Sequence, residues 1–231
     1  MNKSNSGVMG KTNLSGFSQF VFQWFASNGR DFPWRKTSNP YCIFVAEVLL
    51  RQTQARRVVE PYLELVARYP SFEALSMADI EEFRKWFKPL GLVKRADLLV
   101  NSAKRVVSEY CGLLPNSLDS LLNLPGMGNY SARAVACLAF GAVVPMIDES
   151  SGRLLRRVLG LSHRGPAHSD HKLLHVAENI VPKEHPRDFN LGLLDIASAY
   201  CHYTDPSCQR CPLVRFCSYG EAKVRPQKDL Q

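Results

Sequence analysis

Apolar residues return along this chain at helical spacing. Phe17, Phe20, Val21, Trp24 and Phe25 fall at i, i+3, i+4, i+7 and i+8, the stripe of an amphipathic helix. The same pattern predicts helices over 43–51, 56–69, 80–87, 96–110 and 131–140. Asn39-Pro40, Tyr69-Pro70, Lys88-Pro89, Leu114-Pro115 and Leu124-Pro125 punctuate them. Proline lacks an amide hydrogen and clashes inside a helix, so each pair marks a stop or a start. No alternating strand pattern of useful length occurs, and the fold class expected is all-α. Residues 1–15 are polar and rich in Ser, Asn and Gly, without the apolar stretch of a secretory signal, and read as a disordered tail. No apolar run reaches the roughly 18 residues that a membrane span needs.

Composition narrows the partner. With 231 residues the chain has room for one large domain or two modest ones. Its net charge of +8 favours a polyanion such as nucleic acid, although a merely soluble basic protein carries such a charge too. Seven cysteines, four of them clustered, fit a reducing compartment better than a disulfide scaffold. The expectation is a cytoplasmic protein, nucleoid-associated in a prokaryote. Cys42, Cys111 and Cys137 stand among apolar neighbours and read as small core residues. Cys201, Cys208, Cys211 and Cys217 are spaced C-x6-C-x2-C-x5-C. So short a loop cannot easily form two unstrained disulfides, but it can wrap four thiolates around one inorganic centre. Only Cys208–Cys211 forms a knuckle of the kind that structural zinc sites use in pairs. The spacing therefore favours a [4Fe–4S] cluster and leaves zinc open.

Two further features carry chemistry. Leu124-Pro125-Gly126-Met127-Gly128-Asn129-Tyr130-Ser131 contains L-P-G-x-G, a helix–hairpin–helix signature. Glycines permit positive φ and close backbone approach, and a helix starting near Ser131 points its free amides into the hairpin. Such amides and the helix dipole hold a phosphate without reading a base, which makes Gly126, Gly128 and Asn129 candidate DNA contacts. A plain helix-to-helix turn is the duller account. Asp148 follows the apolar stretch Val144-Pro145-Met146-Ile147 and precedes a basic helix, Arg153-Leu154-Leu155-Arg156-Arg157-Val158. An acid there is commonly a helix cap. A fixed carboxylate can also serve catalysis, by stabilising positive charge as it develops in a transition state.

Hairpin, apolar helix, proline, aspartate, basic helix and four-cysteine loop occur in the order of the iron–sulfur helix–hairpin–helix DNA glycosylases. The chain resembles that superfamily, shared by the endonuclease III and adenine-glycosylase branches, from about Phe17 to Tyr219. Arg30-Asp31-Phe32-Pro33-Trp34-Arg35, Glu47-Val48-Leu49-Leu50-Arg51 and Arg187-Asp188-Phe189-Asn190-Leu191-Gly192-Leu193 look like its T/G-mismatch thymine glycosylase subgroup. The resemblance implies a six-helix barrel over 38–148, and a cluster domain built from 15–37 and 149–220. The ends, 1–14 and 221–231, are tails, and a monomer binds mismatched double-stranded DNA across the cleft.

It implies roles as well. Asp148 matches the family's catalytic carboxylate, able to orient or deprotonate water. Tyr130 occupies the slot where endonuclease III carries its Schiff-base lysine; a tyrosine forms no imine, so the enzyme expected is monofunctional. Tyr130 then contacts or stacks near the extruded base, or simply packs at the helix start. Glu47 matches a carboxylate near the base pocket; among Val45, Ala46, Val48 and Leu49 its pKa should rise, making it a donor to the leaving base. A solvated helix face is the alternative. Arg51-Gln52-Thr53-Gln54 resembles the wedge that fills the gap left by a flipped nucleotide, with Gln52 and Gln54 as its polar side chains.

Substrate choice turns on departures. Leu191 replaces the glutamine of adenine glycosylases, and the chain ends shortly after Cys217, where that branch continues into a recognition domain. Both favour thymine or uracil opposite guanine, whereas the tandem Gln52-Thr53-Gln54 looks more like the adenine branch. Ser150 stands where most relatives have Asn, and Ser151-Gly152 where they have larger residues, which leaves a modified pyrimidine as another substrate. A DNA-binding module without activity and an iron–sulfur electron carrier are the rival classes. The first predicts tight binding without base release; the hairpin, the charge and Asp148 weigh against the second.

Overall fold

The structure, a computed structural model, describes residues 14–88, 93–163 and 165–224. Most of the expected N-terminal tail, Pro89 and residues 225–231 lie outside the described residues. Within them the chain forms twelve α-helices and no strand, the all-α class expected. It divides into two compact units, one joining Met1–Arg30 to Val143–Gln231 and the other spanning Asp31–Ala142. The first unit opens with α1 (Leu14–Asn28). The second contains α2 (Pro40–Leu50), α3 (Ala55–Arg68), α4 (Phe72–Ser76), α5 (Ile80–Phe87), α6 (Val93–Tyr110), α7 (Leu118–Leu122) and α8 (Asn129–Phe140). The first resumes with α9 (Glu149–Leu159), α10 (His171–Ile180), α11 (Pro186–Tyr200) and α12 (Ser218–Val224).

The divisions fall before the positions 38 and 149 read from the sequence. The Arg30–Arg35 segment is split because Arg30 donates from its backbone N and its Nε to Asp195, at 2.8 and 2.6 Å. Trp34 instead buries in the other unit, stacked on Phe32 at 4.9 Å and edge-on to Tyr62 at 5.4 Å. The C-terminal tail is also shorter than expected, since α12 continues to Val224.

In the two-ended unit, α1 lies against α11. A Cβ at Gly192 would meet Val21 Cγ1 at 2.9 Å, so glycine permits that approach. Phe17, Val21, Leu154, Leu155, Val158, Leu173, Phe189, Leu193 and Ile196 fill the core, with Phe17 edge-on to Phe189 and Phe216.

In the other unit α2 departs from the one-sided pattern. Asn39 caps it, its Oδ1 accepting from the amides of Tyr41 and Cys42. Every residue from Ile43 to Leu49 is buried, because α3, α6 and α8 pack around it. A stripe is what a surface helix needs; an enclosed helix is apolar all round. The five-residue helices α4 and α7 were not foreseen, being too short for periodicity to register. Cys137 is buried as expected, but Cys42 is only partly buried and Cys111 is exposed at a turn with φ 54°.

Candidate active site

Asp148 is the N-cap of α9, half-buried, and it closes a capping box. Its Oδ1 accepts from the amide of Ser151 at 2.7 Å and from the Ser151 hydroxyl at 2.8 Å. That hydroxyl accepts in turn from the Asp148 amide at 2.9 Å. Among the described residues Oδ2 accepts no hydrogen bond, so one oxygen anchors the carboxylate and the other stays available. The approach to Asp148 is fixed by Asn190 on α11, which is fully buried. Its Oδ1 accepts from the Met146 amide at 2.8 Å, and its Nδ2 donates to the carbonyls of Val144 at 2.9 Å and Pro186 at 2.8 Å. Sequence reading missed both supports. Ser151 was legible as the fourth residue of an Asp-x-x-Ser cap; Asn190 had only the signal of an amide inside an apolar helix. The small pair Ser151-Gly152 also finds its reason: a Cβ at Gly152 would sit 2.4 Å from Ala167 Cβ.

The hairpin joins α7 to α8. Gly126 has φ 79°, in the region that favours glycine, but Gly128 has φ −92°, which any residue adopts. Close approach, not backbone strain, is therefore what Gly128 offers: a Cβ there meets nothing within 4 Å. Gly128 is the N-cap of α8 and no side chain caps that end, which leaves a helix start suited to an anion. Asn129 is exposed on the first turn, and Tyr130 beside it is half-buried. Gly128→Asp is expected to keep the thermal midpoint, since aspartate is a good N-cap. It should weaken every duplex by about tenfold or more, the worth of one charge-assisted contact. Fluorescence anisotropy with matched and mismatched duplexes checks this; a loss confined to one mismatch would put the loop in base recognition.

Glu47 lies inside its unit, only 5% exposed. Burial pushes its carboxyl up to about 8, and the charge of Arg35 opposes the rise without cancelling it. At neutral pH it is mostly protonated and able to donate, which removes the solvated-face alternative. Gln52 and Gln54 are both exposed at the turn between α2 and α3. Gln52 has φ 54°, and Gln54 is the N-cap of α3 without a capping side-chain bond. Leu191 is 4% exposed on α11, so its side chain belongs to the interior of its unit.

The four clustered cysteines line one cavity with Leu154, Tyr200, Val214 and Tyr219. Cys201 and Cys217 are buried, Cys208 and Cys211 partly so. Arg157 Nη1 donates to Cys201 Sγ and the Gly220 amide to Cys217 Sγ, both at 3.2 Å. Burial is the main cause that pushes the Cys211 thiol up to about 11, with Cys217, Cys201 and Cys208 adding to the rise and a hydrogen bond from the Leu213 backbone opposing it. Among the described residues no three His, Cys, Asp or Glu side chains are placed to hold a single metal ion. The four thiols nonetheless line the same cavity, and two of them accept hydrogen bonds, a donor set whose chemistry suits a thiolate-bound group.

Known proteins resemble the chain over most of its length. A thymine-DNA glycosylase of Aeropyrum pernix is 39% identical over 214 residues, covering 90% of this chain and 96% of that one. A thymine/uracil-DNA glycosylase of Methanothermobacter thermautotrophicus is 36% identical over 206 residues, covering 89% and 93%. The solved structure of a thermostable thymine-DNA glycosylase superposes with a TM-score of 0.85 at 36% identity, covering 90% and 97%. The family model for HhH-GPD superfamily base excision DNA repair proteins matches residues 45–182. With the match spanning over half its length, the chain belongs to the HhH-GPD superfamily of base excision DNA repair proteins.

Proposed function

We propose that this chain is a monofunctional DNA glycosylase that removes thymine or uracil paired with guanine, acting as a monomer on double-stranded DNA. It is a hydrolase of N-glycosyl bonds. The observation that carries the mechanism is Asp148, held through one oxygen by Ser151 and presenting the other. The hairpin amides at Gly126, Gly128 and Asn129 grip a phosphate, and Gln52 and Gln54 fill the gap left by the extruded nucleotide. Glu47, protonated at neutral pH, hydrogen-bonds the departing base and eases the negative charge it acquires. As the bond to the base lengthens, the Asp148 carboxylate stabilises the positive sugar and orients the water that attacks C1′. Tyr130 borders the base and offers no amine, so water is the nucleophile. The names of the two relatives and of the superposed structure support thymine or uracil as the leaving base. A panel of duplexes carrying T/G, U/G, A/G and A/8-oxoG, scored for abasic sites, tests the reading. Release from T/G and U/G is expected, and release from the adenine pairs alone would contradict it.

Cys201, Cys208, Cys211 and Cys217 would hold a [4Fe–4S] cluster, which supplies a rigid, charged crosslink within the C-terminal loop. Purified protein is expected to be yellow-brown, with broad absorbance near ~400 nm arising from thiolate-bound iron. Cys208→Ser should remove the colour and lower solubility. A colourless protein with one zinc per chain would replace the cluster with zinc.

A further inference from the structure

Gln52 is a non-glycine residue in the left-handed region, with φ 54°. A glutamine stays there only where its surroundings impose it. The Thr53 amide donates to Leu50 O at 3.1 Å and closes the turn around it, and Arg95, on the first turn of α6, braces that turn from outside. Its Nη1 donates to Leu49 O at 3.2 Å and to Thr53 Oγ1 at 2.8 Å, and its Nη2 donates to Arg51 O. The guanidinium thus ties down the chain on both sides of Gln52 and leaves the Gln52 side chain exposed.

The same face of α6 reaches the hairpin. Arg95, Leu98, Ser102 and Arg105 follow one another at i, i+3, i+7 and i+10. Ser102 Oγ donates to Pro125 O at 2.8 Å, and Arg105 Nη1 to Asn123 O at 2.7 Å. Leu98 lies against Gly126, where a Cβ would come within 3.1 Å of its Cδ1. Arg51 Nη1 donates to Gly126 O at 2.8 Å and links the two loops directly.

We infer that this stripe of α6 sets the spacing between the base-displacing turn and the phosphate-binding hairpin, and that Arg95 is a positioning residue for base extrusion acting through Gln52. The inference rests on the wedge reading of Gln52 above. Lysine cannot replace the arginine, because only a planar fork satisfies acceptors on both sides of the turn at once.

The test uses the full chain and a T/G duplex with 2-aminopurine beside the mismatched thymine, whose fluorescence rises on extrusion in stopped flow. Arg95→Met is expected to slow the rise by about 100-fold, the cost of a small misplacement, while Kd for the duplex stays near wild type. Arg95→Lys keeps the charge and should also extrude slowly; it carries the test if the Met variant fails to fold. Gln52→Ala should be comparably slow, and adding Arg95→Met to it should cost nothing more, because both act on one element. A merely structural role predicts the same added loss in both backgrounds, and that result would overturn the inference. Gln52→Ala extruding at the wild-type rate would remove the wedge reading itself, and Arg95's role with it.

Discussion

Asp148→Asn is expected to slow single-turnover base release on the order of a thousandfold, about 4 kcal/mol of transition-state stabilisation. Asparagine keeps the shape of aspartate, and its carbonyl can still accept from the Ser151 amide, so α9 keeps its cap. On the proposed mechanism, what is lost is the negative charge that faces the sugar as positive charge develops there. Since that charge exists only in the transition state, Kd for a T/G duplex should remain close to wild type. Glu47→Gln is the contrasting variant. A neutral amide preserves the donor that burial already creates by holding Glu47 protonated up to about pH 8. Release should fall by a much smaller factor that depends on the leaving base. Rapid-quench assays at saturating enzyme separate the two effects. Wild-type-like turnover by Asp148→Asn would remove the residue from the mechanism.

Tyr130→Lys is expected to convert the product. The wild-type protein has no amine at this position, whereas the variant should form a Schiff base with C1′, be trapped on DNA by borohydride, and nick the strand. Position 130 is on the first turn of α8, half-exposed, so a lysine is accommodated without burying its charge. The positive end of the α8 dipole disfavours the ammonium form and frees part of the amine for attack. A denaturing gel of borohydride-treated reactions reads the outcome as a band of protein bound to DNA. Failure of the folded variant to trap would mean that position 130 does not reach the sugar.

Features set by neighbouring residues were legible in the sequence, and features set by distant ones were not. α5 begins and ends where periodicity places it, because Asp79 caps it locally through the amides of Glu81 and Glu82. The cysteine loop and the Asp148 cap are equally local: each is a pattern of residue types at short spacing. Asn190 meets the approach to Asp148 from 44 residues away, and Arg95 meets the Gln52 turn from 44 and 46 residues away. Nothing in either neighbourhood announces the partner. The hairpin shows both cases side by side. Gly126 needs its glycine for φ, as L-P-G-x-G suggests, whereas Gly128 has an ordinary φ and its openness appears only in three dimensions. Glu47 was readable as an acid among apolar neighbours. The degree of its burial depended on α2 being enclosed by α3, α6 and α8, which a run of apolar residues does not reveal.

The most direct measurement of the central claim is one reaction: wild-type protein on a duplex with a single T/G mismatch, with borohydride present in a parallel sample. Thymine should be released and the abasic strand should stay intact until alkali or heat cuts it, with no protein trapped on DNA. Tight binding without release, or a trapped and nicked strand, would contradict a glycosylase that uses water through Asp148.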